Sequence, residues 1–319
     1  VCGPGEVKLE VSCCGICGTD LHVYHDTFKN YPPVILGHEF VGKIVEKGHE
    51  VKEIPAANVF AVLGAVAVTC QSCAYCRKGE FMFCKNRRGM GHGVHGAFTR
   101  YAVVRPDQLY PLPEGVDYRQ GALVEPLAAA VHAVCEVAHY RLGDTILISG
   151  PGPIGMLCLK LLLRQSLKVI VAGTGQDRSR LEMATNLGAF RTIMVDEENL
   201  QAIISDATGG VGVDLAIETA GAEASVANCL TALRPLGHLV QVGHFGKKLL
   251  LPWDHVAFKQ LRINGSVGYT RDTWTLTMQI LAQGFNATDI VTHELPLQDW
   301  EKGFELSESK KAVKVLLSP

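Results

Sequence analysis

The chain has 319 residues, the length of about two domains. Thirty Lys and Arg stand against 32 Asp and Glu, a net charge of −2, so the concentrated basic field of a nucleic-acid binder is absent. With 19% charged and 47% hydrophobic residues a large core can form and disorder is excluded, while the longest apolar run, Val59 to Val68, is about half of the ~20 residues that span a bilayer.

From Val1 to about Pro113, short apolar runs (Val7 to Val11, Phe40 to Val45, Phe98 to Val104) alternate with Gly- and Pro-rich turns, which predicts a β region with long loops. Leu127 to Cys135 has helical composition. Beyond it, strands are predicted over Thr145–Ser149, Lys168–Ala172, Thr192–Val195, Leu215–Glu218 and His238–Val242. Helices over Ile154–Gln165, Arg180–Leu187, Leu200–Ser205 and Ala222–Leu233 separate them. Such alternation, with strands that are nearly continuous apolar runs, implies a parallel sheet covered by helices on both faces. A helix over Thr273–Gln283 and a strand over Ala312–Leu317 read as a return to the first domain, and no internal repeat is evident.

Eleven cysteines, an odd number with no basic-then-apolar export signal at the start, argue for reduced thiols and metal ligands over a disulfide framework. Cys70, Cys73, Cys76 and Cys84, four within fifteen residues, suit one tetrahedral Zn²⁺ whose positions are all filled, so that it fixes a lobe and catalyses nothing. A four-iron cluster is the rival occupant. Gly150-Pro-Gly152-Pro153-Ile154-Gly155 follows a predicted strand and opens a predicted helix, the context in which GxGxxG binds a dinucleotide pyrophosphate. The acid expected at the end of the next strand is missing; Gly173 and Thr174 stand there, with Asp177, Arg178 and Arg180 beyond, so NAD and NADP both remain open. Cys17, His38 and Glu39 are of the types that hold a catalytic zinc with one open position, although spacing alone does not bring them together. Cys13 and Cys14 are read as packing residues.

The ordered set Gly15-Ile-Cys17-Gly-Thr19-Asp-Leu-His22, Gly37-His38-Glu39, the four-cysteine lobe, Glu125-Pro126, the glycine turn and Trp300-Glu-Lys-Gly-Phe-Glu-Leu306 resembles the zinc-dependent medium-chain alcohol dehydrogenases, in particular the sorbitol (polyol) and L-threonine dehydrogenase branch, over essentially the whole chain. The resemblance implies an α/β fold: a GroES-like β catalytic domain over 1–127 and 268–319, with an inserted Rossmann doubly wound parallel-sheet domain over 128–267. It implies a catalytic zinc on Cys17, His38 and Glu39 with Glu125 as an exchangeable ligand, a structural zinc on the four lobe cysteines, and Thr19 and His22 as a proton relay. Val242, Gly243, Ser266 and Val267 match segments that touch the nicotinamide side of NAD or NADP.

The implied reaction is oxidation of a secondary alcohol, polyol or diol, to a ketone by hydride transfer, with L-threonine 3-dehydrogenase as the alternative. A zinc-free quinone reductase-like enzyme and a non-catalytic nucleotide binder are more remote readings. The partners expected are a small alcohol and a second or further copies of the chain, as homodimer or homotetramer, with no nucleic acid or membrane and a cytoplasmic location. Three departures from the family pattern stand out. Members carry a further strand before the position of Val1. Their Gly-Asp-Arg turn between Glu53 and Thr69 is replaced by Ala56-Ala-Asn-Val-Phe-Ala-Val-Leu-Gly64. Polyol enzymes have Arg where this chain has Gly268.

Overall fold

The computed structural model describes residues 2–319. Its strands are Val7–Gly15 (β1), Glu39–Lys47 (β2), Phe60–Val62 (β3), Tyr101–Val104 (β4), Leu109–Pro111 (β5), Thr145–Ser149 (β6), Lys168–Gly173 (β7), Arg191–Met194 (β8), Val213–Glu218 (β9), Leu233–Gln241 (β10), Arg262–Gly265 (β11), Val291–Pro296 (β12) and Lys314–Ser318 (β13). Contacts divide the chain into two compact units, Val1–Ala128 with Tyr269–Pro319, and Ala129–Gly268.

The first unit is built on a seven-stranded sheet in the order β12-β13-β1-β2-β3-β5, with β4 also paired to β1. β1 organises it. Val7, Leu9 and Val11 point alternately into a core shared with Phe40, Phe60 and Val62, as the period-2 pattern of an antiparallel strand requires. At the end of β1, Gly15 faces Glu39 on one side and Leu316 on the other, which brings three distant stretches of sequence to one point. The greasy segment that replaces the usual turn becomes β3, an interior strand between β2 and β5 with Phe60 to Leu63 almost wholly buried. Its hydrophobicity is that of a strand covered on both faces.

The second unit holds six parallel strands in the order β11-β10-β9-β6-β7-β8. The chain enters at β6, winds outward through β7 and β8, then returns to β9 and winds the other way, so the parallel sheet expected from the alternation is present in the doubly wound arrangement that the resemblance implies. Leu147, Ile170, Ala216 and Leu239 are buried under helices Leu200–Thr208 and Glu223–Ala232. Lys259 donates to the carbonyls of Leu230, Thr231 and Leu233 at 3.1, 2.7 and 2.7 Å, satisfying the exposed end of the second helix and complementing its dipole.

Several elements were not legible in the sequence. β11 and β12 carry Arg262-Ile-Asn-Gly and Val291-Thr-His-Glu, edge segments with no apolar alternation. Helix Gly18–Tyr24 starts on glycine and is held by its surroundings. The strand predicted from Phe98 begins only at Tyr101, because the amides of Ala97 and Phe98 bond to Gly37 and Leu36 instead. The helix predicted from Leu127 starts at Val124 and widens to a π-type turn over His132–Val137. Among the described residues no helix is long and apolar enough to cross a membrane.

Candidate active site and dinucleotide turn

The chain leaves β1 through Gly15 and Ile16 and turns at Cys17 into helix Gly18–Tyr24. Asp20, on the first turn of that helix, accepts the amide of Cys17 at 2.9 Å and the amide of Gly37 at 2.9 Å, tying the helix start to the segment that enters β2. Gly37 itself sits at φ +90, where a Cβ would stand 2.5 Å from the Phe98 ring, so only glycine fits. These constraints place one donor atom each from Cys17, His38 and Glu39 within 4.8 Å of one another.

Thiolate, imidazole and carboxylate form a donor set suited to zinc. Nδ1 of His38 is buried 3.4 Å from an Asp20 oxygen without a hydrogen bond, so the carboxylate faces one ring nitrogen and leaves the other for a metal. Burial opposes charge on both partners. Even so, His38 and the amides hold the Asp20 carboxyl below its ordinary range, and Asp20 with Cys17 holds the His38 ring well above its own. On the far side, Lys314 from β13 donates to Glu39 Oε2 at 2.5 Å and to the Ile16 carbonyl at 2.9 Å, with both charged side chains 1% exposed. Burial works against the ammonium, but Glu39 and Cys17 outweigh it and raise the Lys314 pKa. Gly15 makes the pair possible, since a Cβ there would lie 2.3 Å from Glu39 Oε2.

The two buried carboxylates each face a partner, His38 for Asp20 and the Lys314 ammonium for Glu39, and Cys17 adds a soft donor beside them. Glu125 stands outside the three-donor group. It accepts the Tyr269 hydroxyl at 2.8 Å, and burial pushes its carboxyl up, although it senses His38 and Glu39. Thr19 and His22 share one helix but are not hydrogen-bonded to each other; His22 Nδ1 pairs with Thr27 Oγ1 at 3.2 Å.

The four lobe cysteines also converge within 4.8 Å. Their resolved sulfur separations are 3.9 Å (Cys70–Cys76) and 3.6 Å (Cys84–Cys70). A tetrahedral zinc with ~2.3 Å bonds spaces its thiolates about 3.8 Å apart, so the lobe fits one zinc, whereas a four-iron cube needs a wider cage. Amides of Ser72 and Cys73 lower the Cys70 thiol to about 6, while burial and neighbouring sulfurs push Cys76 up to about 12.

In the second unit the glycine turn follows β6. Gly150 is at φ +111 with Ala220 N 2.6 Å from a virtual Cβ, and a Cβ on Gly155 would lie 2.0 Å from the Gly150 carbonyl. Gly152, by contrast, faces open space, and Pro153 and Ile154 open helix Pro153–Leu163. The three glycines thus separate into a tight turn, a clear approach to free helix amides and a close helix–strand contact. This cradle fits a pyrophosphate. Fully buried Glu218 accepts the amides of Ala220 and Gly221 at 3.0 and 2.9 Å and the Ser225 hydroxyl at 2.6 Å. Its carbonyl receives Val242 N and Gly243 N at 2.9 and 3.0 Å, and Ser266 N bonds to Gln241 O at 2.8 Å. Ser266 is buried; Val267 is exposed. β7 ends at Gly173, and Thr174 N and Oγ1 both donate to Asp177, which also meets Arg180 at 3.5 Å. Arg178 is exposed and paired with Glu197 at 2.7 Å.

Three residues were given no role from sequence. Asp20 lies inside the Gly15-to-His22 motif, three positions after Cys17. Lys314 was signalled by a lone lysine in the apolar run Ala312 to Leu317. Glu218 had no signal beyond ending a strand.

The chain matches the family model described as "Alcohol dehydrogenase GroES-like domain" over residues 3–114 and that described as "Zinc-binding dehydrogenase" over residues 153–283. It is 33% identical to the sorbitol dehydrogenase of Halalkalibacterium halodurans, over 99% of this chain and 92% of that one. It is 32% identical to an L-threonine 3-dehydrogenase of Xanthomonas oryzae, over 99% of this chain and 93% of the relative. Among solved structures, a protein from Sinorhizobium meliloti described as a zinc-binding dehydrogenase and bound to NADP superposes with a TM-score of 0.89 at 28% identity, covering 99% of this chain and 93% of that one.

Three outcomes are expected. Gly155→Ala destabilises the protein by about 1–3 kcal/mol through overpacking, whereas Gly152→Ala leaves the thermal midpoint within the range of a neutral surface change and weakens dinucleotide binding; melting curves and cofactor titration separate the two. Lys314→Met strands the Glu39 carboxylate and costs about 3–5 kcal/mol, part of which Glu39→Gln restores in the double variant, as read from thermal midpoints. Because the raised His38 pKa means that a proton must leave before a metal enters, zinc affinity falls on acidification, by about tenfold per pH unit for each proton displaced. Competition with a chromophoric chelator from neutral to mildly acid pH checks this, and a flat profile contradicts it.

Proposed function

Since the chain belongs to the zinc-dependent medium-chain dehydrogenase family, we propose that it oxidises a secondary alcohol of the polyol or diol type to a ketone, with zinc on Cys17, His38 and Glu39 and with NADP as hydride acceptor. The observation that carries this reading is the convergence of those three donors beside a buried counter-charge. When bound, zinc acts as a Lewis acid that makes an alcohol hydroxyl acidic near neutral pH, and nicotinamide accepts the hydride.

The chain's own residues do the rest. Lys314 holds Glu39, and Asp20 sets the His38 ring. Glu125, kept in place by the Tyr269 hydroxyl and raised in pKa by burial, presents a carboxyl able to hold a substrate hydroxyl. Thr19 takes the substrate proton and exposed His22 gives it to solvent; without a direct bond between them, the relay runs through water.

NADP is favoured over NAD by the end of β7. Gly173 and Thr174 carry no carboxylate for the ribose diol, and Asp177 is buried against Thr174 and Arg180. The exposed Arg178–Glu197 pair is weak enough to yield its guanidinium to a 2′-phosphate. L-Threonine is the second reading, supported by the 32% identity to the Xanthomonas oryzae enzyme. A homodimer or homotetramer is supported by the exposed edge strand β11 and by Phe258 and Leu250, 85% and 87% exposed. The four-thiol lobe supports a reducing, cytoplasmic setting.

A panel of sorbitol, xylitol, 2,3-butanediol and L-threonine, each with NAD and NADP, tests the reading. Zinc-loaded protein turns over at least one secondary alcohol, Cys17→Ser removes that activity and one of two bound zinc ions, and Arg178→Ala raises KM for NADP by about tenfold while sparing NAD. Inactivity of fully zinc-loaded enzyme on every alcohol contradicts it.

A further inference from the structure

Directly after the last lobe cysteine the chain carries Lys85-Asn86-Arg87-Arg88. These residues, with Tyr31 and Val68, line a pocket of about 300 Å³ that none of the roles above uses. It lies at the small end of the roughly 300–1,000 Å³ range of ligand sites. Its backbone is firmly set. Arg88 and Val68 exchange two amide bonds at 3.0 Å each, Arg87 N bonds to Cys84 O at 3.0 Å, and Tyr31 N bonds to His92 O at 3.0 Å. The Arg88 guanidinium carbon lies over the Tyr31 ring, 4.4 Å from its centroid, a cation–π contact.

Among the described residues, Lys85, Arg87 and Arg88 form no ion pair with a carboxylate. Three cations therefore line one small pocket without a counter-ion, and Arg87 is half-buried there. Burial lowers its pKa without discharging a guanidinium. The pocket's segment runs on toward the metal-ligand group: three residues past Arg88, a Cβ on Gly91 would stand 3.1 Å from the amide nitrogen of Gly37, next to His38, and Phe81, just before Cys84, packs its ring 6.4 Å from that of Tyr269, whose hydroxyl holds Glu125.

We propose that this pocket is an anion subsite that receives the phosphate of a phosphorylated alcohol substrate. Planar guanidinium groups match phosphate oxygens in pairs, and three positive charges suit a group of −1.5 to −2 better than a single carboxylate. The proposal rests on the dehydrogenase reading and narrows its substrate class.

The test uses zinc-loaded full-length enzyme at constant ionic strength, comparing kcat/KM for D-sorbitol 6-phosphate, D-sorbitol and L-threonine. The phosphate ester is preferred by about a hundredfold, chiefly through KM, and Arg88→Gln cuts the ester-to-sorbitol ratio by about tenfold. Because the ratio is taken within one preparation, a partly misfolded variant lowers both rates and leaves it unmoved. Equal kcat/KM values, a preference that survives Arg88→Gln, or a preference for L-threonine overturns the proposal. If no alcohol is oxidised, the dehydrogenase reading fails, and the pocket is judged separately by calorimetric titration of inorganic phosphate into enzyme saturated with dinucleotide. Saturable binding at one site per chain, weakened by Arg88→Gln, supports an anion subsite; no saturable binding overturns it.

Discussion

Much of the first unit answers to one electrostatic constraint: Cys17, His38 and Glu39 converge between a buried ammonium, Lys314 on Glu39, and a buried carboxylate, Asp20 on His38. Burying a charge is costly unless it is paired and hydrogen-bonded. Both carboxylates have such partners: Lys314 for Glu39, backbone amides and His38 for Asp20. The donors left over, the Cys17 thiol and the outward nitrogen of His38, join Glu39 in a set suited to zinc. The sheet serves that purpose, since Gly15 of β1 has Glu39 and Leu316 as its two lateral neighbours and lacks the Cβ that would displace the carboxylate.

The second unit solves a different problem, that of holding a polyanion with few charges. Free amides at the start of helix Pro153–Leu163 do this when the backbone can come close, and the glycine turn is shaped by that need: crowded at Gly150 and Gly155, open at Gly152. Glu218 then uses its carboxylate and carbonyl to pin the loops after β9 and β10, so that the end of the sheet is rigid without being charged toward the ligand. The four-thiol lobe is a third, smaller device. Short of core residues, it gathers four thiols where one metal ion can tie its strands of chain together, and it carries the basic pocket on the segment that follows Cys84.

The alternation of strands and helices, the parallel sheet it implies and the motifs with fixed local spacing could be read from the chain itself, because periodicity, glycine placement and cysteine spacing are local properties. The alternation from Thr145 onward and Cys70-x2-Cys73-x2-Cys76 belong to this class. The elements that escaped were those without local pattern, the polar edge strands β11 and β12 and the short helix Gly18–Tyr24.

What only the tertiary structure decided is which of the dispersed residues meet. Cys17 and His38 are separated by a short helix and a loop, and Lys314 lies nearly three hundred residues from Ile16, whose carbonyl it caps. Their convergence depends on the register of β13 against β1 and of β1 against β2, a long-range choice made by core packing and invisible in any window of sequence. The same packing left Glu125 bonded to Tyr269 instead of within the donor group, and left Thr19 and His22 on one helix without a direct bond. Sequence determined which chemistry was available; burial and register decided which charges had to neutralise one another.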